Sequence, residues 1–312
     1  MINEPKLHVV IPFFNHTNAR VSRRNLELCL RHLAITPDCR VVLVEGIWNR
    51  EAELPDWSDR IFRHLKFDLK SPIWVKENLI NLGIDSLEEE WEYAAWIDKD
   101  IQFLNPNWSC ETIQKLNECD ILQPWSRVIF LAANHEVESV EGVTDFQLEG
   151  FSFLEDSRGV MSFCNALEFP EKKGHMGYAW AIRKSYYRKL GKLFDGCILG
   201  GGDSVLSCSI EVSRGLNPRI EGDLIVHRDF LEQYAERFLN VRTGFVGGTI
   251  VHHHHGNLNA RQYLDRYLIL EKGGYDPSVD LVYAENGTLC LANERLEKSL
   301  LDYFYSREEH ME

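Results

Sequence analysis

Two aspartates one residue apart, Asp98 and Asp100, close the apolar run Tyr93-Ala94-Ala95-Trp96-Ile97. A β-strand sends alternate side chains to one face, so the two carboxylates are expected to point the same way. A divalent cation with hard oxygen ligands relieves their mutual repulsion and also binds the phosphates of a nucleotide. A solvated turn after a strand is the plainer alternative. The apolar lead-in nevertheless predicts a strand that delivers the pair to the C-terminal edge of a sheet, where α/β proteins bind ligands.

A second group lies between Gly177 and Asp203 and ends in Gly200-Gly201-Gly202-Asp203. Three glycines let a ligand approach the backbone closely. Asp203 behind them could accept a proton from a hydroxyl group, or it could cap a helix starting at Ser204. The third group is His252-His253-His254-His255-Gly256, internal to the chain and preceded by the apolar strand Gly248-Thr249-Ile250-Val251. Alternation sends only some of these imidazoles inward, and neutral imidazole is a good ligand for Mn²⁺ or Zn²⁺. Trp125 and Trp180 offer flat apolar faces on which a pyranose can stack, or else fill the core.

Elements of a layered α/β fold must position these groups. Leu7 to Phe14 reads as a strand broken by the polar Asn15-His16-Thr17-Asn18 turn. A helix follows, with Ser22 as a cap and Leu26, Cys29, Leu30 and Leu33 on its core face. A second apolar strand runs from Arg40 to Glu45, and strand–helix–strand with short joins predicts a parallel sheet covered by helices. A helix ends the stretch Ile73 to Leu87. Beyond Asp100 come a helix near 110–118 and a strand from Ile121 to Trp125. Residues 135–160 are acidic and irregular and read as a mobile loop. The chain divides into a catalytic domain over 1–258 and a helical extension over 259–312.

Composition narrows the function classes. The 312 residues, 44 % hydrophobic and 26 % charged, suit one large α/β domain or two intimately joined halves. A formal net charge of −14 argues against a protein that coats nucleic acid. The eight cysteines contain no CxxC pair, which favours reduced thiols over a zinc site or a disulfide framework. No signal-peptide pattern and no run of 18 apolar residues occurs, so a cytoplasmic location is the default expectation.

In order, the segments VVIPFFN, VEG, WVKENLINLGI, WIDKDIQF, GYAWAIRKSYYRKLGKLFDGCILGGGD and HHHHGNLNARQYLDRYLIL resemble the GT-A glycosyltransferases, over roughly residues 7–270. The likeness is to the branch of galactosyl- and N-acetylgalactosaminyltransferases. It implies a Rossmann-like GT-A fold of mixed, mostly parallel sheet flanked by helices. It also implies a nucleotide diphosphate sugar as donor, with UDP favoured, Mn²⁺ or Mg²⁺ as cofactor, and a carbohydrate or glycoconjugate acceptor. Asp98 and Asp100 match the family's metal motif, Asp100 as the direct ligand. His255 matches its late metal histidine, with His252 second because the pattern resembles HxxHG. Asp203 matches the acidic residue that serves as base in inverting members. Pro12, Phe13 and Glu45 match positions at the nucleoside; Lys76, Trp180, Gly201 and Gly202 join Asp98 at the nucleotide sugar. The departure is GGGD where many inverting members carry two consecutive acidic residues. A metal-dependent hydrolase built on the same Asp/His cluster is the alternative enzyme, and a non-catalytic carbohydrate-binding module is a third reading.

Overall fold

The computed structural model describes residues 5–57, 61–131, 144–150 (backbone alone), 174–218, 226–256, 259–263 and 265–309. Its first half alternates strand and helix: β1 (Leu7–Phe14), α1 (Arg20–Ala34), β2 (Cys39–Ile47), β3 (Arg63–Asp68), α2 (Lys76–Asp85) and β4 (Tyr93–Ile97). Strands β1 to β4 run parallel, in the spatial order β4-β1-β2-β3. Such sheets are apolar on both faces because helices cover both. β1 accordingly buries residues on each side: Val10 joins one core with α2, and Leu7, Val9, Ile11 and Phe13 join the other with α1. Helix α2 lies close to the sheet because Gly83 has no side chain there. A Cβ on it would stand 2.6 Å from Val10 and 2.8 Å from Val44.

The remaining strands are β5 (Ile101–Phe103), β6 (Ile121–Gln123), β7 (Arg127–Leu131), β8 (Thr144–Gly150), β9 (Gly174–His175), β10 (Ala179–Arg183), β11 (Thr243–Phe245) and β12 (Thr249–His252). β10 runs antiparallel between β4 and β6, and β11 completes a seven-stranded sheet ordered β11-β6-β10-β4-β1-β2-β3. A second, five-stranded sheet is ordered β5-β12-β7-β8-β9. The expected α/β architecture, a mixed and mostly parallel sheet flanked by helices, is therefore present. The further helices are α3 (Trp108–Leu116), α4 (Lys184–Leu190), α5 (Gly202–Ser213) and α6 (Arg228–Ala235), then α7 (Tyr267–Lys272), α8 (Pro277–Asp280) and α9 (Glu297–Ser306).

Several local expectations need correction. Ser22 is buried inside α1, and the turn before that helix is closed by Asn15, whose Oδ1 accepts the Ala19 N–H at 2.9 Å. Ala19 takes the N-cap position, so the expected hydroxyl cap is absent among the described residues. Residues 144–150, placed in an irregular acidic loop, form β8 against β7; the rest of 135–160 lies outside the described residues. After residue 259 the chain is helical only in part, since β13 (Leu281–Tyr283) and β14 (Leu289–Leu291) form a hairpin between α8 and α9. Leu296, Leu300, Tyr303 and Phe304 from this part are buried in the α2-side core. Each apolar side chain of this size contributes roughly 1.5–3 kcal/mol when fully buried.

Candidate functional site

A cavity of about 390 Å³ opens where β1 and β4 end, the usual ligand edge of a parallel sheet. Asp98 follows β4 directly, its N–H donating to the carbonyl of Tyr178 at 2.7 Å. The chain then turns before β5, so Asp98 and Asp100 are not on one strand and the expected alternation does not apply. Both line the cavity, but they serve different neighbours.

Asp100 faces the histidines because β5 and β12 pair antiparallel, with Ile101 opposite His252. The N–H of His253 donates to the Asp100 carbonyl at 2.8 Å and extends that ladder by one step. His252 and His255 then enter the cavity, while His253 is buried away from it and the His254 carbonyl accepts from Asn25 Nδ2 at 3.0 Å. His255 Nε2 lies 3.0 Å from Asp100 Oδ2, His252 Nε2 lies 3.8 Å from Asp100 Oδ1, and the two Nε2 atoms are 3.2 Å apart.

One carboxylate oxygen and two imidazole nitrogens thus fall within 4.8 Å of one another, a group that could hold a metal ion. Among the described residues Asp100 Oδ1 is buried without a hydrogen-bond partner, a costly arrangement that a cation would satisfy. Burial, with Arg261 adding at His255, lowers the pKa of both histidines against the pull of Asp100, so their nitrogens are neutral donors near pH 7. Burial alone would raise Asp100, but His255, Lys99, His252 and Arg261 hold its carboxyl well below the usual range. A hard oxygen with two borderline nitrogens suits Mn²⁺ or Zn²⁺.

Asp98 lies outside that group. Its Oδ1 is 2.7 Å from Lys76 Nζ, and the same ammonium lies 2.8 Å from Asp203 Oδ2. Lys76 is the first residue of α2, where the helix dipole disfavours a cation. Its two carboxylate partners outweigh both that and its burial, and they raise its pKa well above the ordinary value. Burial and the nearby Asp203 push Asp98 up to about 6 despite the opposing Lys76. Glu77, also buried beside this cluster, is pushed up to about 8 by burial, with Lys76 pulling against it.

Asp203 sits in the first turn of α5, which begins at Gly202, two residues earlier than the Ser204 start read from the sequence. Gly200 and Gly201 take φ values of 96° and 102°, so both need glycine to make the turn into the helix. Gly202 is required for a different reason: a Cβ there would stand 2.2 Å from the Glu77 carboxylate. Tyr178 also has positive φ, 76°, a strained conformation for an aromatic residue, and its ring stacks on His175 at 4.1 Å.

Pro12, Lys76, Asp98, Asp100, Gly201, Asp203, His252 and His255 therefore meet around one cavity. Phe13, Glu45 and Trp180 do not line it. Phe13 and Glu45 pair across β1 and β2 and point to the opposite face of the sheet. There Glu45 accepts the Leu54 N–H at 2.7 Å and meets His64 Nε2 at 3.1 Å. Phe14, on the same side as Pro12, is the aromatic residue of β1 at the cavity. Trp180 is fully buried and its indole donates to the Met176 carbonyl at 2.7 Å; Trp125 is likewise core, donating to the Ala179 carbonyl at 3.2 Å. Gly202 instead lines a separate small cavity with Glu77 and Asp203.

Sequence reading missed a whole wall of the site. Arg261, Arg266, Phe304, Arg307 and Glu309 line the cavity from the segment after residue 258, with Phe304 against His16 at 4.7 Å. The Arg307 guanidinium lies 5.3 Å above the Trp74 ring. Three arginines within fifty residues carry no spacing signal, and Glu309 lies far in sequence from every other acidic residue of the site.

No family model matches the chain, and no curated protein matches it. Among solved structures it is similar to the catalytic domain of Drosophila β1,4-galactosyltransferase 7 in complex with xylobiose, at 13 % identity and TM-score 0.37. That likeness covers 69 % of this chain and 63 % of that one, so the chain spans less than two thirds of its length. It is also similar to the 4-diphosphocytidyl-2C-methyl-D-erythritol synthase of Anaerococcus prevotii, at 11 % identity and TM-score 0.38, over 79 % of this chain and 88 % of that one. The mannosyltransferase PcManGT of Pyrobaculum calidifontis, in complex with GDP-Man and Mn²⁺, is 10 % identical with TM-score 0.47, over 99 % of this chain and 74 % of that one.

Proposed function

We propose that the chain is a GT-A-type glycosyltransferase that moves a sugar from a nucleotide diphosphate sugar, UDP-linked by preference, to an acceptor hydroxyl with inversion. The observation that carries this reading is the placement, in one cavity, of a cation-binding group (Asp100, His252, His255) and a separate carboxylate (Asp203) joined through Lys76 to Asp98. Transfer needs a positive site for the leaving diphosphate and a base for the incoming hydroxyl, at different points of one pocket. A hydrolase that activates water at the metal would also use a separate carboxylate as its base, so the response to nucleotide sugars is what separates the two readings.

Asp100, His252 and His255 would hold Mn²⁺, which when bound supplies the positive charge that stabilises the departing diphosphate. Asp203 takes the proton of the acceptor hydroxyl while that oxygen forms its bond to the anomeric carbon and the bond to the diphosphate oxygen breaks. Lys76 donates to Asp203 Oδ2 and holds that carboxylate next to Asp98. Pro12 and Phe14, at the end of β1, form the wall nearest the parallel strand ends and suit the nucleoside. Arg261, Arg266 and Arg307 add cationic groups to the lining that suit phosphate oxygens.

Incubation with Mn²⁺ and a panel of nucleotide sugars, reading released nucleotide with and without oligosaccharide acceptors, tests the proposal. Acceptor-dependent release of one nucleoside diphosphate is expected. Release of phosphate or of a free monosaccharide from simple esters and glycosides, with no response to nucleotide sugars, would replace it with the hydrolase.

A further inference from the structure

The segment after residue 258 does more than cover the cavity. Glu309 Oε1 lies 3.3 Å from His255 Nδ1, on the side of the ring away from Asp100, and its own side chain is only 16 % exposed. Arg307 Nε donates to the same Oε1 at 3.0 Å, which fixes the carboxylate in place. A carboxylate can only accept, so a bond to Glu309 requires a proton on Nδ1, which in a neutral imidazole leaves the lone pair on Nε2. Asp100 Oδ2, 3.0 Å from Nε2, draws the proton to the other nitrogen; once Asp100 is engaged by a cation, only Glu309 draws it. Arg261 Nη2 lies 2.8 Å from Nε2 and 3.1 Å from Nδ1, over the ring rather than in line with either lone pair, and so leaves the choice of tautomer to the two carboxylates.

We propose that Glu309 is a positioning residue of the metal centre. It selects the His255 tautomer and ring orientation that present Nε2 to the cation, and it raises the basicity of that nitrogen. The inference rests on the metal reading of Asp100, His252 and His255 given above. Carboxylates that hold metal-binding imidazoles in this way typically change metal affinity 10–100-fold when removed. The geometry makes the last described turn of the chain part of the metal site, fifty-four residues beyond the histidine it orients.

The test is Mn²⁺ binding to the full chain without nucleotide, followed by electron paramagnetic resonance of the free ion. Wild type should bind, and Glu309→Ala should bind on the order of 10–100-fold more weakly. Glu309→Gln, which keeps the shape and an acceptor oxygen but loses the charge, should fall between them and guards against a poorly folded alanine variant. Glu308→Ala, exposed and outside the cavity, should match wild type. Imidazole ¹⁵N spectra of the metal-free chain give a readout that a merely structural role would not move: the share of the His255 proton on Nδ1 should fall in the alanine variant, where only Asp100 still draws it, to Nε2. Normal Mn²⁺ affinity in both Glu309 variants would overturn the inference and leave the metal site standing. A wild-type chain that binds no divalent cation would remove the metal site itself and this inference with it.

Discussion

Lys76 and Asp203 are joined by a 2.8 Å ion pair across 127 residues of chain, linking the first turn of α2 to the first turn of α5. The ammonium also holds Asp98, so a single cation sets the position of two carboxylates that would otherwise repel each other. Lys76→Met keeps the length of the stem and removes the charge. Breaking a buried pair by deleting one partner costs about 3–5 kcal/mol, because the remaining charges stay desolvated. Chemical denaturation should show a loss of that order, and turnover should fall on the order of a hundredfold under conditions where the variant is still folded. A variant with wild-type stability and turnover would mean that Asp98 and Asp203 do not depend on Lys76.

Within the histidine tract the expected order of effects follows from which rings enter the cavity. His252→Ala and His255→Ala should each weaken Mn²⁺ binding strongly, and Asp100→Ala should abolish it. His254→Ala should change it little, because the His254 contribution seen here is a backbone carbonyl bonded to Asn25. His253→Ala should lower stability more than metal affinity, since that ring is buried outside the cavity. Isothermal titration with Mn²⁺ and a thermal melt for each variant separate the two effects. Four equal, mild losses of affinity would remove the tract from the metal site.

Reading the sequence recovered the strands well where periodicity and an ending agreed. Tyr93–Ile97 is β4 residue for residue, because five apolar residues meet a polar turn at a definite point. The same reading placed Asp98, Asp100, His252 and His255 at one cavity, since each follows an apolar strand closely. It failed where a side chain's direction depends on pairing with a distant strand. Glu45 looks like a ligand at a strand end, yet β2 continues to Ile47 and alternation turns Glu45 to the far face. Trp180 lies on β10 between β4 and β6, which buries it on both sides. Arg261 and Glu309 left no local signal, because only the return of the chain over the cavity brings them to His255.

The buried histidines also set how the fold responds to acid. His227 is 2 % exposed, meets Phe194 edge-on at 5.0 Å, and its Nδ1 has no hydrogen-bond partner among the described residues. Burial lowers its pKa from 6.5 to about 4. Between those values the unfolded chain binds the proton that the folded chain refuses, so stability rises with pH through this window. The contribution is intact above pH 6.5 and is lost as pH falls toward 4. His227→Phe removes a group that binds up to one proton, so the pH slope of stability in this window should become shallower by up to about 1.4 kcal/mol per pH unit. Urea midpoints measured from pH 7 to pH 4 test this; parallel curves for variant and wild type would show that His227 is not protonated on unfolding.

Asp203 carries the stereochemical expectation. A single displacement needs one base on the side opposite the leaving group, and it inverts the anomeric centre. Among the described residues, Lys76 holds Asp203 through Oδ2, and the side chain is 23 % exposed to the cavity, so an acceptor hydroxyl can reach the carboxylate. Asp203→Asn keeps the shape and can still accept from Lys76, but it cannot take the proton. Turnover should fall by something on the order of a hundredfold or more, while nucleotide affinity stays close to wild type, because a group used only during transfer contributes little to ground-state binding. NMR of the product reports the anomeric configuration independently of the rate. An inverted product together with a slow Asn variant assigns the base to Asp203. A retained configuration, or an Asn variant with normal turnover, would leave Asp203 as the carboxylate that steadies Lys76 at the start of α5.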